Sequence, residues 1–235
     1  MKQMPARLGM EQSPAVSIVT CTKRPSYLHN LFQNYGRQTY PNKELIVILN
    51  NKTMNLADYI KAAKLYKNVR IYRLPDHVSL GTCLNYGVKL SRFNYIAKFD
   101  DDDYYAPDYL MDSMQTLLKT NADIVGKRAH YMYLQSKKLL LLRYPDLEQR
   151  HVHMVQGATL LVKRHIFQQI SFPNQTGGEC IRFCTACRDR GFRIYAGSRL
   201  HFIAIRRKNS KDHTWTVTDK ELLTRNSKVL KVKDI

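Results

Sequence analysis

Between residues 15 and 119 the chain alternates short apolar runs with longer segments of helical spacing, and this alternation restricts the fold more than any other feature. Ala15 to Thr20 reads as a buried strand, Tyr27 to Gln38 as a helix, and Glu44 to Leu49 as a second strand after the turn Tyr40-Pro41-Asn42-Lys43. Leu56 to Tyr66 has helical spacing, Val69 to Leu74 is a third strand, Leu80 to Leu90 a helix, and Tyr95 to Phe99 a fourth strand. Pro107 opens a further helix, Tyr109 to Lys119, because proline's missing N–H is no loss in a first turn. Strands alternating with helices imply an α/β domain on a mostly parallel sheet.

In such sheets ligands bind beyond the carboxyl ends of the strands. Three polar loops fall there: Thr20 to Arg24, Asn50-Asn51, and the four consecutive aspartates Asp100 to Asp103. A helix cap needs one carboxylate, and four adjacent ones repel unless a cation compensates. Hard carboxylate oxygens at a strand end are how a chain holds Mg²⁺ or Mn²⁺, often with a phosphorylated substrate. In an extended segment alternate side chains share a face, so Asp100 and Asp102 are expected to converge on one ion. Asp101 and Asp103 would then point toward a sugar hydroxyl or the following helix.

From about residue 124 the pattern changes. Ile124 to Tyr133 and Lys138 to Tyr144 read as strands joined by a turn, Ala158 to Val162 as another strand, and Arg164 to Ile170 as a short helix. Gly178 to Arg190 reads as a helix ended by Gly191, and Phe192 to Ala196 as a strand. The resulting expectation is a disordered leader over 1–13 and one domain over 14–217, with halves at about 14–123 and 124–217. A basic, Lys-rich tail over 218–235 follows, helical or partly disordered.

The formal net charge of +19 favours polyanionic partners: nucleic acid, anionic membrane surfaces or phosphorylated small molecules. Fifteen tyrosines would suit base stacking, but no RRM, KH, helix-turn-helix or finger signature is present, and the aspartate block would repel a nucleic-acid backbone. That argues against nucleic acid, although a metal-dependent nuclease stays open on chemistry alone. No apolar run is long enough to span a membrane, and Met1 to Ser13 has no signal-type apolar core. A cytoplasmic location is the default, with peripheral membrane contact left open. Five cysteines, an odd and unevenly spaced set, read as reduced thiols. Cys180, Cys184 and Cys187 have the spacing of a radical-SAM iron–sulfur motif, but they also fall on one helix face, and a buried stripe is the preferred reading.

Several stretches in one collinear order carry a resemblance. Val16-Ser17-Ile18-Val19-Thr20 with Lys23-Arg24-Pro25, Gln38-Thr39-Tyr40-Pro41-Asn42 before Glu44 to Leu49, and Gly81 through Asn85 to Gly87 are three of them. Tyr95 to Pro107, Gly157 to Arg164, and Gly178-Glu179 ahead of Gly191 are the others. Over about residues 15–215 the chain resembles the family 2 glycosyltransferases of GT-A fold, and within them the bacterial polysaccharide or spore-coat type. The resemblance implies a Rossmann-like nucleotide half and a mixed acceptor-side half. It also implies a nucleoside-diphosphate sugar donor, a glycan or other hydroxyl acceptor, Mn²⁺ or Mg²⁺, and transfer with inversion. Asp100 and Asp102 would be the metal pair of the D-x-D segment, with His213 as a third ligand. Thr20, Lys23, Arg24, Asn50, Asp100, Arg206 and Arg207 would serve the nucleotide and its phosphates, and Trp215 a lid or acceptor stack. The family's catalytic aspartate corresponds to Cys180 here, which makes Glu179 the base candidate and Asp103 the alternative. Where the family's second strand ends in an aspartate that reads the base, this chain has Asn50.

Overall fold

Strands β1 (Val16–Thr22) and β2 (Lys43–Leu49) are buried on both faces, as near-continuous apolar runs require. In this computed structural model, which describes residues 13–207, 217–224 and 226–230, they pair in parallel. Strand β3 (Val69–Arg73) extends the sheet in parallel beyond β2, and β4 (Tyr95–Lys98) adds in parallel on the other side of β1. Beyond β4 lie β10 (Leu161–Lys163), β6 (Ile124–Gly126), β11 (Ile194–Ala196) and β9 (Arg150–His151), giving the order β3-β2-β1-β4-β10-β6-β11-β9. Strands β10 and β9 run antiparallel to their neighbours.

The period of two sorts the strand residues between two helical layers. Leu45, Val47 and Leu49 pack with α1 (Leu28–Gly36), α2 (Leu56–Ala63) and α4 (Tyr109–Thr120). Ile46 and Ile48 pack with α3 (Leu80–Leu90) and α5 (Glu179–Asp189). On α5 the buried positions are Glu179, Cys180, Phe183, Cys184 and Cys187, so the three cysteines form part of an interior stripe.

A second sheet closes the C-terminal half. It contains β5 (Tyr104–Tyr105), β7 (His130–Leu134), β8 (Leu139–Arg143), β12 (Phe202–Arg206) and β13 (Ser227–Leu230), in the order β13-β8-β7-β12-β5. Tyr105 fastens it to the first sheet: its ring stacks on Phe99 at 3.9 Å, and its hydroxyl donates to the Ala158 carbonyl at 2.7 Å.

The structure departs from the sequence reading in several places. The expected strand over Ile124 to Tyr133 breaks at residues 127–129, and its two parts enter different sheets. Lys127 explains the break: it is buried, and its ammonium leaves the strand line to meet Asp112 at 2.5 Å. Within the expected strand from Ala158, Gly157–Thr159 is instead a 3₁₀ turn, held where Thr159 donates to the Gln156 carbonyl at 2.7 Å. Strand β12 was not anticipated, although its alternating burial is the usual period-two signal. Finally, the described part of the expected tail joins the domain: α6 (Asp219–Thr224) buries Leu222, and β13 pairs antiparallel with β8. Of the expected leader, only Ser13 lies within the described residues.

Two residues give direct tests of this packing. A Cβ on Gly81 would stand 1.9 Å from the Pro173 carbonyl oxygen, because α3 docks end-on against that loop and the Gly81 amide donates to Gln175. Gly81→Ala should destabilise by about 1–3 kcal/mol although alanine is the better helix former, and denaturant unfolding checks it. No loss of stability would contradict the close approach. His130 is buried, and burial, with a smaller contribution from the Arg143 and Arg128 charges, holds its pKa down at about 4 against the Arg128 carbonyl bond. Between pH 6.5 and 4 the unfolded chain therefore binds a proton that the folded one refuses, and stability falls as pH falls through that window, by up to about 3 kcal/mol. His130→Gln should flatten this limb of the stability–pH profile; an unchanged limb would contradict the assignment.

Candidate active site

The strand order reverses at β1, with β2 on one side and β4 on the other, and a cleft opens at the carboxyl ends there. It encloses a cavity of about 360 Å³. Lys23 and Arg24 line it after β1, Asn50 after β2, and Asp100 to Asp103 after β4. Strand β12 supplies Ala204, Ile205 and Arg206 from the second sheet, and the loop before α3 supplies Asp76 and His77.

The four aspartates form a tight turn in which each carboxylate has a different environment. Lys98 pairs with Asp100. Asp101 accepts from Thr22 Oγ1 at 2.5 Å and from Arg24 Nε at 3.2 Å, and its other oxygen pairs with Arg24 Nη2. Asp102 accepts from Arg24 Nη1 at 2.8 Å and meets Arg207 Nη2 at 3.3 Å. Both guanidinium groups lie over the Tyr27 ring, at 4.8 and 5.4 Å. Asp103 accepts from the Ile205 amide at 2.9 Å. From α1, Asn30 donates to the Asp101 and Asp103 carbonyls at 2.7 and 2.9 Å, and Asn34 donates to the Asp103 carbonyl at 2.8 Å.

Asp100 and Asp102 are the accessible pair: their side chains are 38% and 12% exposed, against 2% for Asp101. Because the segment is a turn and not an extended strand, Asp101 faces Thr22 and Arg24 and Asp103 faces β12, and neither points to the following helix. Burial pushes the Asp101 carboxyl up to about 6 against the pull of Arg24, and burial with the Asp102 and Asp100 charges pushes Asp103 well above the usual range. Burial opposes the Lys98 ammonium, but the Asp100 carboxylate beside it outweighs this and keeps the lysine charged. Arg24 behaves alike, with Asp101 and Asp102 overriding burial.

As a metal donor set, Asp100 and Asp102 offer hard oxygens on the cavity wall, which suits Mg²⁺ or Mn²⁺. Among the described residues no group of three or more His, Cys, Asp or Glu side chains converges, so substrate oxygens and water would complete such a site. His213 and Trp215 lie outside the described residues.

The other expected residues divide. Lys23, Arg24, Asn50 and Arg206 line the cavity, and Arg207 reaches its wall through Asp102. The Asn50 amide donates to the Pro75 carbonyl at 2.6 Å. Thr20 does not line the cavity: β1 runs two residues further than expected, pairing Cys21 and Thr22 with Ile48 and Leu49, and Thr22 takes the rim position. Glu179 sits buried at the start of α5, accepting from the Gly177 amide at 3.0 Å and the Cys180 thiol at 3.3 Å. Burial keeps the Cys180 thiol protonated, so it is a donor to Glu179 and no substitute base. Sequence reasoning missed Thr22, Asn30 and Lys98. Only Lys98 carried a signal, a lone cation inside the apolar run Tyr95 to Phe99.

Comparison with known proteins agrees with this geometry. An uncharacterized glycosyltransferase of Rickettsia typhi is 24% identical over 175 residues, covering 67% of this chain and 53% of the relative. The O-antigen biosynthesis glycosyltransferase WbnJ of Escherichia coli is 27% identical over 134 residues, covering 56% of this chain and 52% of the relative. The chain thus spans about half the length of these curated relatives. Among solved structures, S. aureus TarS 1–349 in complex with UDP-GlcNAc superposes with a TM-score of 0.69 at 14% identity, covering 87% of this chain and 61% of that one. The mannosyltransferase PcManGT from Pyrobaculum calidifontis, in complex with GDP-Man and Mn²⁺, gives 0.65 at 14% identity, covering 87% and 60%. These likenesses establish the GT-A fold. The family model for Glycosyl transferase family 2 matches residues 16–188, and the chain belongs to that family.

Proposed function

We propose that this chain transfers a sugar from a nucleoside diphosphate to a hydroxyl of a glycan or other acceptor, with Mn²⁺ or Mg²⁺ and with inversion by direct displacement. The observation that carries the reading is the accessible pair Asp100 and Asp102 at the switch-point cleft of a family 2 chain, each held in place by a cation. Nucleotide sugars in the TarS and PcManGT structures, and Mn²⁺ in the latter, support a donor and metal of the same kinds here. The name of WbnJ supports a bacterial polysaccharide as the product class.

Asp100 and Asp102 would hold the metal, which neutralises charge on the leaving diphosphate. Arg24 and Arg207 place fixed positive charge beside the same carboxylate, so the field that the departing group meets is preorganised. Thr22, Asn30 and Asn34 keep the turn rigid. Lys23 and Asn50 line the nucleotide end. Glu179 takes the proton from the acceptor hydroxyl, its carboxylate oriented by the Gly177 amide and the Cys180 thiol. Lys98 pairs with Asp100 and sets one buried cation behind the acidic turn.

Two measurements test this. In a thermal-shift panel of nucleoside diphosphates, at least one should stabilise the protein more with Mn²⁺ than without, and Asp102→Asn should lose the metal-dependent part. Equal shifts with and without metal would contradict the site. With the donor so identified, Glu179→Gln should lower kcat by about 10²-fold or more while leaving donor binding intact. An unchanged kcat would remove Glu179 as the base.

A further inference from the structure

A second cavity of about 650 Å³ opens where β9 pairs with β11 at the edge of the large sheet. Apolar side chains, among them Val152, Met154 and Ile194, line it together with Arg128, Arg150 and Arg193. No carboxylate lines it among the described residues. Two other guanidinium groups are satisfied: Arg193, which also lines the cavity, donates to the Asn121 carbonyl at 2.5 Å, and Arg199 close by forks onto Glu148. Arg128 and Arg150 differ, because neither has an ion pair with a described residue. Arg128 is nonetheless fixed in place, its guanidinium 3.7 Å from the Tyr144 ring centre, which leaves its N–H donors unspent.

Guanidinium groups without carboxylate partners beside apolar side chains fit a phosphate ester: forked hydrogen bonds would take the phosphate oxygens, and the organic part would lie against the apolar lining. Met154 lines this cavity and Gln156 the donor cleft, two residues apart along the chain. The Gln156 amide donates to the Lys127 carbonyl at 2.7 Å, next to Arg128.

We propose that this cavity is an anion subsite for a phosphate-bearing acceptor, binding the phosphate through Arg128 and Arg150 beside the point of transfer. The acceptor role rests on the glycosyl-transfer reading above; the anion site does not. Titration of the whole chain at low salt with glycerol 1-phosphate, hexyl phosphate and glucuronate, followed by calorimetry, tests it. At least one phosphate ester should bind more tightly than glucuronate, the hexyl ester leading if the natural organic part is a lipid and the glycerol ester if it is a polyol. Arg150→Ala and Arg128→Gln should each weaken that binding by about tenfold, and Arg188→Ala, on the exposed face of α5, should leave it unchanged. Arg150 is exposed, so its variant keeps the fold. Equal affinity in Arg150→Ala and the parent chain, or an equal loss in Arg188→Ala, would overturn the subsite. Metal-dependent nucleotide binding should persist in Arg150→Ala. Its absence in the parent chain would count against glycosyl transfer and leave the anion site standing.

Discussion

Four adjacent carboxylates at one strand end repel one another, and the site exists because the fold brings three cations to them. Lys98 comes from within β4, Arg24 from the loop after β1, and Arg207 from the end of β12. Each arrives on a different element, so the turn is stable only when both sheets are assembled around it. Burial makes the arrangement exacting, since a charge left unpaired there costs far more than an exposed one.

This charge balance also sorts the four residues by role. Asp101 and Asp103 are spent internally, on Thr22 with Arg24 and on the Ile205 amide. Asp100 and Asp102 stay at the cavity wall with cations beside them. Under the proposed function, a metal ion and a diphosphate would bring compensating charges of both signs, so that neither the carboxylates nor the arginines would be left uncompensated. The same logic makes the second cavity notable, since Arg128 and Arg150 face it with no carboxylate partner among the described residues.

Much of the N-terminal half was legible in the sequence. Its strands are continuous apolar runs, its helices have clear spacing, and its loops fall at one rim, so the alternation alone placed Arg24, Asn50 and the aspartates together. The C-terminal half was less legible because its strands are short and its breaks are set by tertiary partners. Lys127 leaves the strand line to reach Asp112, and β13 finds its partner in β8, far away in the sequence. Within the site, pairing residues were hidden for the same reason: nothing local to Asn30 or Thr22 indicates that the turn at Asp101 will lie against them. Register hid Thr22 further, since β1 continues two residues past its apolar run.

The central claim is that Asp100 and Asp102 together form the metal face of the cleft. Anomalous diffraction at the manganese edge, from crystals grown with Mn²⁺ and a nucleoside diphosphate, tests it most directly. The account predicts one manganese peak within coordination distance of Asp102 and Asp100, with the diphosphate on its other side. A peak elsewhere, or clear nucleotide density in the cleft with no manganese beside these two carboxylates, would contradict it.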